Sequence, residues 1–163
     1  MRKGGGEPYI VHPFQVALML VDLGAPSTTV QAGLLHDVVE DCDEWTIERV
    51  HIEFGEVVAS TVAEVTEDKS RTWAERKQHA IDIVPALSDG ALLVKACDKL
   101  QNLQSLARLL AEADDAAQVW SGFRGGRDAT LRMDAGLVRA LVGRVEERLA
   151  RSLHAALEAV REA

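Results

Sequence analysis

Gly33-Leu34-Leu35-His36-Asp37-Val38-Val39-Glu40-Asp41 decides how the rest of this chain is read. Val30, Ala32, Leu34 and Leu35 before the His-Asp pair, and Val38 and Val39 after it, leave the stretch apolar on most sides. A helix through it is therefore predicted to be largely buried. A helix advances about 100° per residue, so His36 and Glu40 share one stripe and Asp37 and Asp41 the next. One inward edge then carries an imidazole and three carboxylates. Unpaired buried charges are costly, and a bound cation neutralises such an edge at least expense.

Two further stretches supply what this one lacks. In Leu92-Leu93-Val94-Lys95-Ala96-Cys97-Asp98-Lys99-Leu100-Gln101-Asn102-Leu103 the apolar residues again recur with helical spacing, while Asp98 and Asn102 sit at i,i+4 with Lys95 and Lys99 close by. Near the start, Pro8-Tyr9-Ile10-Val11-His12-Pro13 places His12 at the entrance of a helix whose first turn suits a proline. Gathered in space, His12, His36, Asp37 and Asp98 make a site of two nitrogens and two carboxylates. Such a site suits Mn²⁺, Fe²⁺ or Zn²⁺, with positions open to water and substrate. Taken alone, His36-Asp37 reads as a hydrogen-bonded core pair. Glu40, Asp41, His12 and Asp98 in this order make the metal site the better reading.

This order of a lone His, a His-Asp pair and a distant Asp on separate helices resembles the HD superfamily of metal-dependent phosphohydrolases. Within it, five ordered blocks are similar to the hydrolase domain of RelA/SpoT proteins and its small stand-alone relatives. They are Arg2-Lys3 with Gly6 to Pro13, Leu34 to Asp41, Phe54-Gly55 with Val58, Val65 to Lys69, and Val94 to Leu103. The resemblance spans roughly residues 2 to 110 and fades beyond them. It implies an all-α, HD-type helical bundle in which His12, His36, Asp37 and Asp98 hold one divalent ion, commonly Mn²⁺. Glu40 and Asp41 would orient and deprotonate the metal-bound water. The implied reaction is attack on the phosphorus at the 3′ oxygen of (p)ppGpp, releasing pyrophosphate and leaving GDP or GTP. Arg2, Lys3, Lys69 and Asn102 match positions that contact this substrate. Cys97 and Gln101 depart from the residues usual there, changing the pocket lining without touching a ligand, and Arg132-Met133 replaces an aromatic pair. Two other readings stay open: an HD phosphohydrolase for another phosphorylated nucleotide, and a silent domain that binds a nucleotide or a partner.

Bulk properties fit a small enzyme. The chain has 163 residues, enough for one domain over 1–163, with 47% hydrophobic and 4% aromatic residues, so a core of Leu, Val and Ala is expected. Four prolines and recurrent i,i+3/i+4 spacing predict helices over 13–23, 28–41, 46–54, 56–66, 73–86, 90–110, 115–121 and 128–161. Thr28, Thr46 and Asp89 read as N-caps, and Gly24 and Gly55 as C-terminal stops. A net charge of −8 argues against a nucleic-acid surface, which needs clustered Lys and Arg. A small anionic nucleotide needs only a local positive pocket. No apolar run approaches the roughly 20 residues of a membrane span and no signal-peptide core is visible, so a cytoplasmic protein is expected. Cys42 and Cys97 read as free packed thiols, and His51, His79 and His154 as solvated or structural.

From Asp128 to Ala163, Leu131, Leu137, Leu141, Val145, Leu149, Leu153 and Leu157 trace a long apolar stripe. It forms one long amphipathic helix or two, and packs either on the chain's own bundle or against a second subunit as a homodimer. Gly125-Gly126 ahead of it resembles a joint rather than a phosphate loop, having no preceding strand and no Gly-Lys-Ser/Thr.

Overall fold

The computed structural model describes residues 8–163, and all regular structure among them is helical. Helix α1 (Val11–Asp22) accepts Pro13 in its first turn, where a missing N–H breaks no intrahelical bond. It buries Val16 and Leu20 against α2 (Ser27–Leu35) and α7 (Asp89–Glu112). Gly33 makes the α1–α2 contact possible. A Cβ there would stand 2.4 Å from Leu20 Cδ1.

The expected single helix over 28–41 is corrected to two. Helix α2 ends at Leu35, His36 and Asp37 form a turn, and α3 (Val38–Asp41) follows as a single turn with no buried residue. His36 Nδ1 donates to the Gly33 carbonyl at 2.7 Å, an acceptor that a continuing helix would pair with the Asp37 amide. The Tyr9 hydroxyl holds the Asp37 carboxylate from across the chain. Tertiary contacts thus override a local pattern that runs on unbroken.

Helix α4 (Ile47–Phe54) starts as expected at Thr46, whose Oγ1 accepts from the Arg49 amide at 3.2 Å. It passes into α5 (Glu56–Val65) at Gly55, whose φ of 87° suits glycine. The expected helix 73–86 is shortened to α6 (Trp73–Asp82) and a 3₁₀ turn (Val84–Ala86), because Pro85 has no N–H for a continuing α-helix. Thr72 and Glu75 form a capping box at its start. Two caps differ from expectation. Ser88, not Asp89, accepts from the Ala91 amide at 3.3 Å, and Asp89 becomes a first-turn acid facing the helix dipole. At α2, Pro26 rather than Thr28 takes the extended cap position, with no side-chain cap bond.

Helix α7 is the spine. It carries Leu92, Val94, Leu100, Leu103, Leu106 and Leu110 inward and touches α1, α2, α5 and the C-terminal helices. After α8 (Ala116–Ser121), the segment expected to be one long helix or two is two, α9 (Gly126–Val142) and α10 (Glu147–Glu162), divided by a turn at 143–146. Arg144 Nη1 ties that turn to the carbonyls of Val84 and Leu87, at 2.5 and 3.1 Å. Folding back puts Leu137, Leu141, Leu149, Leu153 and Leu157 into the common core, with α10 packed on α7 and α9. Most of the stripe that could have met a second subunit is buried within the chain itself, with Leu131 and Val145 partly buried.

Candidate metal centre

Three elements deliver the four candidate ligand positions. The first turn of α1 brings His12, the α2–α3 turn brings His36 and Asp37, and the middle of α7 brings Asp98. Both imidazoles are buried. His12 Nε2 stands 3.2 Å from His36 Nε2 and 3.2 Å from Asp98 Oδ1, and Asp37 Oδ2 lies 3.5 and 3.3 Å from the two nitrogens. His36 Nε2 is 3.6 Å from Asp98 Oδ1. Donors about 2.1 Å from one ion stand about 3.0 Å apart at right angles and about 3.4 Å apart on a tetrahedron, so this spacing fits a shared cation.

The outer contacts orient the nitrogens. His36 Nδ1 donates to the Gly33 carbonyl, and His12 Nδ1 meets Gln101 Oε1 at 2.5 Å. The Gln101 amide group donates onward to Gln15 and Ser105, which fixes its oxygen toward His12. With both Nδ1 atoms used as donors, two neutral imidazoles turn their Nε2 lone pairs into one space beside two carboxylates. Only a proton or a cation relieves that. Burial pushes His36 down, but the hydrogen bond and charge of Asp98 and the charge of Asp37 outweigh it, raising the group to about 9. Burial would likewise raise Asp98; hydrogen bonds from His12 and His36 hold it well below the usual carboxylate range. The described residues can therefore hold a metal ion, and the donors of His12, His36 and Asp98 lie within 4.8 Å of one another.

Glu40 and Asp41 line the same cleft, about 1270 Å³ in volume, but not as the continuous-helix reading placed them. The break at His36-Asp37 turns Glu40 toward the segment after α5, where Glu40 Oε1 accepts from the Glu67 amide at 2.7 Å. Burial raises the Glu40 carboxyl above its ordinary value. Asp41 is half-exposed and meets Lys69 Nζ at 3.0 Å; the same ammonium donates to the Glu40 carbonyl. Lys69, matched to a substrate contact, here binds the acid pair. Asn102, matched likewise, donates to Asp98 Oδ1 at 2.6 Å. Arg2 and Lys3 lie outside the described residues. Lys99 pairs with Asp134 of α9 at 2.5 Å on the opposite wall.

Some site residues escaped sequence reasoning. Gln101 was expected to leave the ligands untouched, whereas it bonds directly to His12. Its place three residues after Asp98 on one helix face was a usable signal. Tyr9 precedes His12 by three residues in the same way, and burial together with the Asp37 carboxylate pushes its phenol up. Cys97 is buried, its thiol pushed up to about 12 by burial and by Asp98, as suits a packed thiol. Cys42 is corrected from packed to exposed, because α3 lies on the surface.

Fold and site together define an all-α protein with a cluster of two histidines and two aspartates that could hold a metal ion, beside an acid pair. The chain belongs to the HD domain family, which matches residues 1–130. It is 42% identical over 132 residues to human guanosine-3′,5′-bis(diphosphate) 3′-pyrophosphohydrolase MESH1, covering 74% of this chain and 73% of that protein. To the probable guanosine-3′,5′-bis(diphosphate) 3′-pyrophosphohydrolase of Synechocystis it is 38% identical over 68% of this chain but only 15% of that protein. The structure of lmo0812 from Listeria monocytogenes superposes with a TM-score of 0.82 at 31% identity, covering 93% of this chain and 99% of that one. A metazoan ortholog of SpoT, described as hydrolysing ppGpp, gives 0.76 at 31% identity over 93% of this chain and 80% of that one.

Proposed function

We propose that this chain removes the 3′-pyrophosphate of (p)ppGpp, giving GDP or GTP and pyrophosphate, with one Mn²⁺ held by His12, His36, Asp37 and Asp98. The observation that carries the reading is the convergence of these donors with Glu40 and Asp41 in one cleft, in a chain 42% identical to a relative named for this reaction. A mixed imidazole and carboxylate set suits Mn²⁺, Fe²⁺ or Zn²⁺. When bound, such an ion acidifies water and withdraws charge from a phosphoryl oxygen.

The residues supply the rest. Glu40, raised by burial and fixed through one oxygen, takes the proton of the attacking water. The water oxygen forms a bond to the phosphorus on the 3′ oxygen, the bond from that phosphorus to the ribose oxygen breaks, and pyrophosphate departs while the ribose oxygen gains a proton. Lys69 holds the acid pair in register, and Arg71 and Arg124 add positive charge to the cleft for a polyphosphate. A purely binding domain has no use for a base beside the cation centre.

Pyrophosphate release from ppGpp is measured with Mn²⁺ and after chelation, beside a panel of ordinary nucleotides. Mn²⁺-dependent release with GDP left behind is the expected result. Turnover of another nucleotide in place of ppGpp moves the substrate but keeps the chemistry; silence on every nucleotide overturns the reading.

A further inference from the structure

The Glu67 carboxylate takes no part in the chemistry above, yet it is half of the best-anchored acid contact near the site. Its Oε1 accepts from Lys77 Nζ at 2.7 Å and its Oε2 from Arg76 Nη1 at 3.1 Å, both from α6. The Glu67 side chain is 18% exposed and that of Arg76 15%, so these bonds are sheltered from solvent. Helix α6 is itself fixed at its start by the Thr72–Glu75 capping box. The backbone amide of the same residue grips Glu40 Oε1 at 2.7 Å. The segment is held on its other side by Lys95 Nζ, which donates to the Val65 carbonyl at 3.2 Å from the helix that carries Asp98. Lys69 closes it onto Asp41.

We infer that Glu67 is a positioning residue: its carboxylate locks the 66–69 segment to α6 so that its own amide holds the Glu40 carboxylate in one orientation. The inference rests on Glu40 being the base proposed above. One oxygen of Glu40 is held by the amide, leaving the other to meet the water. A base works only within hydrogen-bond reach of its proton, and small misplacements of such groups are expensive in rate. Glu64, at the other side of the α5 end, supplies the structural counterpart. Its carboxylate accepts from the Ser88 amide and hydroxyl, both at 2.8 Å, and so fixes the start of α7 without touching either acid.

The test is a double-mutant cycle on the full chain with Mn²⁺ and ppGpp. Glu67→Gln is expected to lower kcat by about tenfold or more while KM stays within about twofold. In a Glu40→Gln background the same change should cost less than about twofold, because no base remains to be held. Lys77→Met removes one arm of the lock, gives a smaller loss of the same kind, and replaces Glu67→Gln if that variant does not fold. Glu64→Gln should leave kcat unchanged. Equal losses in both backgrounds, a loss carried by KM, or unchanged kcat overturns the inference while leaving the base in place. Full turnover by Glu40→Gln alone removes the base, and the inference with it. Independently of turnover, amide hydrogen exchange at Glu67 should quicken by about tenfold or more in Lys77→Met; unchanged exchange overturns the lock even in a chain inactive on ppGpp.

Discussion

Two stretches carry helical periodicity straight through a place where the chain turns: 28–41, which breaks at His36-Asp37, and 128–161, which breaks at 143–146. The breaks differ in what holds them. At His36-Asp37 there is no glycine or proline, and polar contacts hold the turn: the His36 ring on the Gly33 carbonyl and the Tyr9 hydroxyl on Asp37. At 143–146 a glycine opens the turn, the Arg144 guanidinium ties it to the Val84 and Leu87 carbonyls, and burial holds the flanking helices, with Leu141 and Leu153 fully enclosed on its two sides. Periodicity reports which face of a segment is apolar, not whether its axis is continuous. The first break gathers side chains that could hold a cation; the second closes a core.

Substitutions should separate the two kinds of break. The largest effect is expected at the first. Asp37→Ala should abolish ion binding and turnover together, a loss of at least about a thousandfold, read by calorimetric Mn²⁺ titration beside the pyrophosphate assay. Retained Mn²⁺ affinity would remove Asp37 from the ligand set. Glu40→Gln, one turn further on, should spare ion binding and still lower kcat by at least about a hundredfold. Near-normal turnover there refutes the base.

At the second break the currency is stability. Leu141→Ala should cost about 2–5 kcal/mol in denaturant unfolding, with kcat of the folded fraction within about twofold. A large kcat loss without a stability loss would mean that α9 takes part in the chemistry. The smallest expected effect is a pH dependence at the edge of the first region. Burial raises the Glu67 carboxyl, but Lys77, through its hydrogen bond and charge, and Lys95 and Arg76 outweigh it and hold the group below its ordinary value. A carboxyl lowered in the folded state adds stability that is present above its unfolded value, about 4.3, and is lost as pH falls through the folded one. Melting temperature should therefore fall between pH 6 and pH 3 by more in the wild type than in Glu67→Gln. Parallel curves would show that the ion pairs contribute nothing.

Much of the site was legible because its signals are local. Helical spacing, the His-Asp pair and the i,i+4 relation of Asp98 and Asn102 are properties of short windows, and they located the candidate donors that the structure brings together. The caps at Thr46 and the stops at Gly24 and Gly55 are local in the same sense, and both glycines have positive φ. Lys69 shows where this reasoning ends. Its charge and motif position matched a substrate contact, whereas its bonds to the Glu40 carbonyl and the Asp41 carboxylate, 29 and 28 residues away, are visible in no short window.

The amino-acid sequence by itself determined the all-α class, the apolar faces and the chemical inventory of the centre, because each follows from residue type and short-range spacing. Only the tertiary structure decided where the helices break, that Gln101 rather than a neighbour orients His12 from 89 residues away, and that the Glu67 amide holds Glu40. The physical reason is the same in each case. A hydrogen bond between distant segments depends on how whole helices pack, and its strength, once made, exceeds the small local preference for continuing a helical turn.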